Sequence, residues 1–139
     1  MSAAGYSGTP LPRKLGILEG DVVAVVGDPG GAASSIAPLP EGATIVDGER
    51  DADIVVFFVT ERATLTGRIE ALGNAVFPDG ACWVAWPKRA SKITTDMTEE
   101  VVRAVALPLG LVDNKVCAID ETWSGLRLVW RKELRKTPR

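Results

Sequence analysis

Residues 81–133, ACWVAWPKRASKITTDMTEEVVRAVALPLGLVDNKVCAIDETWSGLRLVWRKE, decide the fold of this chain. Ala81 to Trp86 reads as a strand, Pro87 to Lys92 as a basic loop, and about Met97 to Leu107 as a helix. Asp96 and Glu99 have the spacing of a capping pair ahead of Val101, Val102, Val105 and Ala106. Pro108 and Gly110 end that helix. Two strands follow, Lys115 to Ile119 and Leu126 to Trp130, joined at Trp123-Ser124-Gly125. A strand–helix–strand unit closed by a hairpin is how a doubly wound α/β domain with an antiparallel edge ends.

Working upstream, the pattern repeats. Asp53 to Val59 holds the run IVVFFV, apolar on both faces, as a central parallel strand must be. Thr60 is placed to cap the next helix. In that helix Leu65, Ile69, Leu72 and Val76 recur at helical spacing, so one face packs on the sheet. Pro78-Asp79-Gly80 turns the chain into the strand at Ala81. Val22 to Val26 is a second buried run, followed by Gly27-Asp28-Pro29-Gly30-Gly31. Ala32 to Ile36 opens a short helix that Pro38 and Pro40 stop. Ala43 to Val46 is a short strand closing at Asp47-Gly48. Leu11 to Leu15 makes a helical turn ending at Gly16, behind an irregular segment 1–12. The expectation is a single α/β domain over 1–139. Its sheet is mostly parallel and doubly wound, Rossmann-like but truncated, with a C-terminal antiparallel hairpin.

Composition sets limits on chemistry. The 139 residues suffice for one domain, and 46% apolar with 24% charged is ordinary for a globular protein. The chain has no histidine, which excludes Ser-His-Asp and Cys-His catalysis within it and the usual His-bearing zinc sites. Acid–base work falls to Asp, Glu, Lys, Tyr or Cys. Cys82 and Cys117 lie in apolar strand runs and read as buried thiols in a reducing compartment. No 18-residue apolar run and no apolar signal core is present, so the expectation is a cytoplasmic protein with no membrane partner. The net charge of −2 is unevenly spread, with Arg127, Arg131, Lys132, Arg135, Lys136 and Arg139 crowding the C-terminus. That basic tail, 134–139, is either a solvated terminus or a contact for nucleic acid or an acidic partner.

Parallel strands with crossover helices place a ligand crevice at their carboxyl ends, here Gly27 to Gly31, Asp47, Thr60 to Arg62 and Trp86 to Lys88. Four candidate sites follow. The turn Gly27, Gly30 and Gly31 lets backbone N–H groups approach a ligand, and Asp47 at the end of the next strand suits ribose hydroxyls. The plain alternative is a tight β–α turn, because G-x-G-x-x-G spacing is absent and Pro29 removes one N–H. Trp86 with Lys88, Arg89 and Lys92 could stack on a base and hold a phosphate, or be a core-edge ring beside a solvated loop. Asp120-Glu121 and Trp123 lie at the hairpin, where adjacent carboxylates point apart and a loop is the simpler reading. Gly5 to Pro10 places the only tyrosine, Tyr6, where a terminal segment could fold over the crevice or fray.

Two resemblances bear on these sites. Gly5-Tyr6-Ser7-Gly8-Thr9-Pro10-Leu11, Trp86-Pro87-Lys88, Ala106-Leu107-Pro108, Gly110-Leu111-Val112-Asp113 and Lys115-Val116-Cys117-Ala118 through Asp120 to Leu126 resemble an uncharacterised bacterial family common in actinobacteria, domain of unknown function 3052. That family implies no activity. More loosely, Val76-Phe77-Pro78-Asp79-Gly80-Ala81 is similar to the turn into the fifth strand of class I S-adenosylmethionine-dependent methyltransferases. The terminal hairpin is similar to their antiparallel sixth and seventh strands. This resemblance implies S-adenosylmethionine as the leading cofactor, with Gly27 to Gly31 at the cofactor loop and Asp47 on the ribose. The chain departs from it in its glycine spacing, in a missing third strand–helix unit, and at Val59-Thr60-Glu61-Arg62, which carries no Asn-Pro-Pro-Tyr-type motif. The expectation is a binding or regulatory domain that kept the frame and lost the chemistry. The alternatives are a small methyltransferase with Tyr6 or Glu61 near the acceptor, and an accessory protein that contacts nucleic acid. Partner and oligomeric state are not encoded in any motif found.

Overall fold

Valine-rich runs with apolar residues on both faces can be buried only inside a sheet covered on each side. The computed structural model, which describes residues 10–30, 36, 38–48 and 50–136, has that sheet. Strands β1 (Val22–Val26), β2 (Thr44–Asp47), β3 (Ile54–Phe58), β4 (Ala81–Pro87), β5 (Leu111–Ala118) and β6 (Trp123–Trp130) pair in the order β2-β1-β3-β4-β6-β5. The first four are parallel, and β6 runs antiparallel to both β4 and β5. The architecture is therefore the expected doubly wound, mostly parallel sheet with a terminal hairpin. A resemblance that counts the hairpin as strands six and seven implies seven strands. The described residues form six, one fewer than that resemblance implies.

Alternation along each strand feeds two cores. Ala24, Val26, Val55, Phe57, Cys82 and Val84 face α2 (Arg62–Ala75) and α3 (Glu99–Ala106), where they meet Leu65, Ile69, Leu72, Val102 and Ala106. Val23, Val25, Ile54, Val56, Phe58 and Ala85 face the other way, against Leu11, Leu15 and Ile17 around α1 (Leu11–Lys14) and against Ile36. Each Val, Leu, Ile or Phe among them contributes about 1.5–3 kcal/mol on burial, and each Ala less. Two indole N–H groups pin the layers. Trp83 Nε1 donates to the Leu15 carbonyl at 3.0 Å, and Trp130 Nε1 donates to the Gly73 carbonyl at 2.9 Å.

Several boundaries differ from the sequence reading. The hairpin is not joined at Trp123-Ser124-Gly125, because those residues already belong to β6. The turn is made by Asp120, whose Oδ1 accepts from the N–H groups of Thr122 and Trp123, both at 2.8 Å. Gly125 is needed in mid-strand because a Cβ there would lie 2.9 Å from Ile119 Cδ1 and 3.0 Å from Trp83 Cε3. Both hairpin strands are longer than expected, and a register shift between Asp113 and Lys115 marks a bulge on the edge strand. Helix α3 is capped by Thr98, whose Oγ1 accepts from the Val101 N–H at 3.2 Å, and not by Asp96. Thr60 does not cap α2, whose N-cap residue is Glu61. Residues 31–35, which carry most of the expected Ala32–Ile36 helix, lie outside the described residues. No helix among the described residues is long and apolar enough to cross a membrane.

Candidate functional site

The strand register brings the predicted rim together. Val25 pairs with Asp47 in β2 and Val26 with Phe57 in β3, while Phe58 pairs with Ala85 in β4. Gly27 to Gly30, Asp47, Thr60 to Arg62 and Trp86 to Lys88 therefore cluster at the carboxyl ends of the parallel strands, Gly31 lying outside the described residues. The chain leaves β1 toward β2 and leaves β3 toward β4, on the opposite side, while β1 and β3 are neighbours. That adjacency is the topological switch point, where open α/β sheets bind ligands.

The residues at this rim differ in how free they are. Asp47 ends β2, is exposed, and its carboxylate has no partner among the described residues. Gly27 has φ +74°, and a Cβ there would lie 2.6 Å from the Phe58 carbonyl oxygen. Its lack of a side chain is thus already required by the packing of β1 against β3. Gly30 has φ +117°, and its N–H donates to Asp28 Oδ1 at 3.2 Å, so the turn is closed by its own side chain. With Pro29 lacking an N–H, fewer backbone donors face outward than in an open glycine loop. Gly31 and Tyr6 lie outside the described residues.

The β3 tip is stitched to a distant segment that the sequence reading did not connect with it. Thr95 Oγ1 donates to the Thr60 carbonyl at 2.5 Å, and Asp96 Oδ1 accepts from the Arg62 N–H at 2.7 Å. Asp96 caps α2 across 34 residues instead of capping the helix beside it. Glu61 stays exposed, with Oε1 accepting from Thr64 Oγ1 at 3.4 Å.

Beyond the β4 tip is a pocket of about 390 Å³ lined by Trp86, Arg89, Ile93, Met97, Thr98 and Glu99. Trp86 is only 8% exposed and Met97 only 3%, and both belong to the α2–α3 core. Trp86 is therefore an apolar lining and not an open stacking platform. Lys88 is half-buried, its N–H donating to the Thr122 carbonyl at 2.8 Å, whereas Arg89 and Lys92 are exposed. Glu99 is engaged by Arg103, which also binds Asp113 through Nε at 3.0 Å.

Other expectations are corrected. Trp123 is 6% exposed and meets Phe58 edge to face at 5.2 Å, so it is a core ring and not a surface for partners. In the basic tail, Arg135 Nε donates to the Trp130 carbonyl at 2.9 Å while Lys136 is exposed, and 137–139 lie outside the described residues. Cys82 is buried, and burial pushes its thiol up to about 12. Cys117 is only half-buried. Partial burial raises its thiol pKa, while Lys14 and Lys115 pull it down.

No family model and no curated sequence matches the chain. Solved structures do resemble it. One is an O-methyltransferase (NcsB1) from neocarzinostatin biosynthesis in complex with S-adenosylmethionine and 2-hydroxy-5-methyl naphthoic acid. The TM-score is 0.61 at 11% identity, over 90% of this chain and 51% of that one, so the chain spans about half its length. A second is a SAM-dependent methyltransferase from Aquifex aeolicus, with a TM-score of 0.52 at 13% identity, covering 84% of this chain and 85% of that one. A third is a precorrin-6y C5,15-methyltransferase from Geobacter metallireducens, with a TM-score of 0.54 at 13% identity, covering 88% and 86%. What these likenesses establish is the architecture: the chain has the fold of S-adenosylmethionine-dependent methyltransferases.

Proposed function

We propose that the chain binds S-adenosylmethionine at the carboxyl rim and acts as a small methyltransferase working by proximity. The observation that carries this reading is the Val25–Asp47 pairing, which sets a carboxylate with no partner among the described residues beside the Gly27 turn at the switch point. Asp47 would accept from the ribose hydroxyls, and the exposed Gly27 and Gly30 would let the cofactor approach the backbone. Bound there, the cofactor would supply an electrophilic methyl group. The fit is good at Asp47 and thinner at the loop, where Pro29 and the Asp28–Gly30 contact reduce the available donors. Methyl transfer depends more on alignment than on a strong base, so a chain without histidine can perform it. The pocket beside Trp86 and Met97, which Arg89, Thr98 and Glu99 also line, would take an acceptor with an aromatic body and polar substituents. Likeness to structures solved with S-adenosylmethionine supports the choice of cofactor.

A second reading, binding without turnover, is favoured by the stitched β3 tip. Thr60 and Arg62 are held by Thr95 and Asp96, and this segment carries no recognisable catalytic motif. One experiment separates the two. Incubation with isotopically methyl-labelled S-adenosylmethionine and a panel of small aromatic hydroxy acids is expected to yield labelled product. Tight donor binding with no labelled acceptor would establish the second reading, and no donor binding would remove both.

A further inference from the structure

Leu18 is 68% exposed, the most exposed large apolar side chain among the described residues. A lone surface leucine needs no explanation. This one is held in place beside an apolar hollow. The Leu18 N–H donates to Asp21 Oδ2 at 2.9 Å, and the Asp21 N–H donates to the Leu18 carbonyl at 3.1 Å. Gly20 lies between them at φ +78°, and its N–H donates to the Glu41 carbonyl at 3.0 Å. The turn 18–21 is thus closed on itself and tied to the segment that enters β2. Ile17, just ahead of the turn, is buried and anchors it to the core.

The hollow has a volume of about 490 Å³, and Leu18 shares its wall with Pro10, Pro38, Leu39 and Pro40. Pro10 and Pro38 are exposed, and Leu39 and Pro40 are half-buried, so this wall is open to an incoming group. Three prolines with fixed φ stiffen it, so little order has to be gained on docking. The charged residues of the lining are Arg13 and Glu19. Both are exposed, and neither side chain has an ion-pair or hydrogen-bond partner among the described residues. The hollow lies where the chain enters β1 and β2, at the ends opposite Gly27 and Asp47.

This patch carries an apolar knob, an apolar hollow, one cation and one anion, and that set is complementary to itself. A plain anion or a plain cation would meet one of the two charges and be opposed by the other. A second copy related by a two-fold axis uses both, because in an isologous contact residue i meets j and j meets i.

We propose that this patch docks on the same patch of a second copy of the chain. Leu18 of each copy enters the hollow of the other, against Pro38, Leu39 and Pro40, and Arg13 of each meets Glu19 of the other. Burial of Leu18 drives the association, and the two rim pairs set its orientation more than its strength. The Gly27 turn and Asp47 stay uncovered, so the dimer does not depend on the cofactor reading.

The test is sedimentation equilibrium of the full chain in low salt, from about 5 to about 500 µM. A small interface of this kind should give a monomer–dimer equilibrium with a Kd of about 10–100 µM. Leu18→Asp should weaken it by at least about tenfold. Arg13→Glu and Glu19→Arg each set like charges against one another at both rim pairs, and each alone should dimerise at least about fivefold more weakly. Mixed one to one, these two variants should recover wild-type association to within about threefold, because both pairs are again opposite in charge. A change in folding cannot produce that recovery, so the charge variants decide the matter even if Leu18→Asp does not fold. A chain that stays monomeric up to about 500 µM would overturn the proposal and leave the hollow to a different partner. So would a dimer that Leu18→Asp leaves intact, or charge variants that fail to associate on mixing.

Discussion

Asp96 Oδ1 accepts a 2.7 Å hydrogen bond from the backbone N–H of Arg62, the first residue of α2. The acid that caps this helix thus comes from the loop ahead of the next one. A negative charge there also opposes the positive end of the helix dipole. With the Thr95–Thr60 contact, it fastens the 93–98 segment over the β3 tip. Asp96→Ala should therefore cost about 1 kcal/mol, the usual effect of losing a cap. Urea denaturation of wild type and variant measures it. Thr98→Ala removes the local cap of α3 and should cost a similar amount. The distinguishing result is that only Asp96→Ala should also speed amide exchange at the first turn of α2.

Gly27 and Gly30 both have positive φ, but their surroundings differ. A Cβ on Gly27 would strike the Phe58 carbonyl oxygen at 2.6 Å, whereas one on Gly30 would meet nothing within 4 Å. Gly27→Ala should lower stability by roughly 2 kcal/mol or more, since the β1–β3 pairing must shift. Gly30→Ala should cost only about 1 kcal/mol, from backbone strain. Thermal melts of the two variants give the comparison.

The two thiols should differ in reactivity and in their effect on pH stability. Burial holds the Cys82 thiol at about 12, so it is protonated in the native chain throughout the neutral range. The half-buried Cys117 should react first with a thiol reagent, and Cys82 only on unfolding. For Cys82 the folded pKa lies above the unfolded value. Its contribution to stability is therefore complete below about pH 9 and is lost as pH rises toward 12, up to about 4 kcal/mol in all. Denaturation midpoints measured from pH 8 upward should fall more steeply for wild type than for Cys82→Ala.

Much of the frame was legible because apolar runs and helical spacing are local signals. Val22 to Val26 and Leu65, Ile69 and Leu72 fall where the patterns put them. The terminal hairpin was legible as a pair but misjoined, because Gly125 reads as a turn until Ile119 and Trp83 are seen packed against it. Asp96 was assigned to α3 because the Asp96–Glu99 spacing fits a local cap, and its true partner is 34 residues away in sequence. The site was legible only in outline. Glycines after a strand signal a turn whether or not a ligand is held, and the demand that Phe58 makes on Gly27 is tertiary. Trp86 and Trp123 looked available because composition cannot say which face of a strand is covered.

Under the proposed function, Asp47 is the ribose-binding acid of the cofactor rim. Asp47 is exposed, so Asp47→Ala should melt within about 0.5 kcal/mol of wild type. Loss of hydrogen bonds to a charged acceptor should nonetheless weaken binding by about 1.5 kcal/mol or more, at least roughly tenfold. Calorimetric titration of both proteins with S-adenosylmethionine is the most direct measurement. Micromolar binding by wild type that falls tenfold or more in the variant is the predicted result. No binding by wild type, or equal binding by both, would contradict the account.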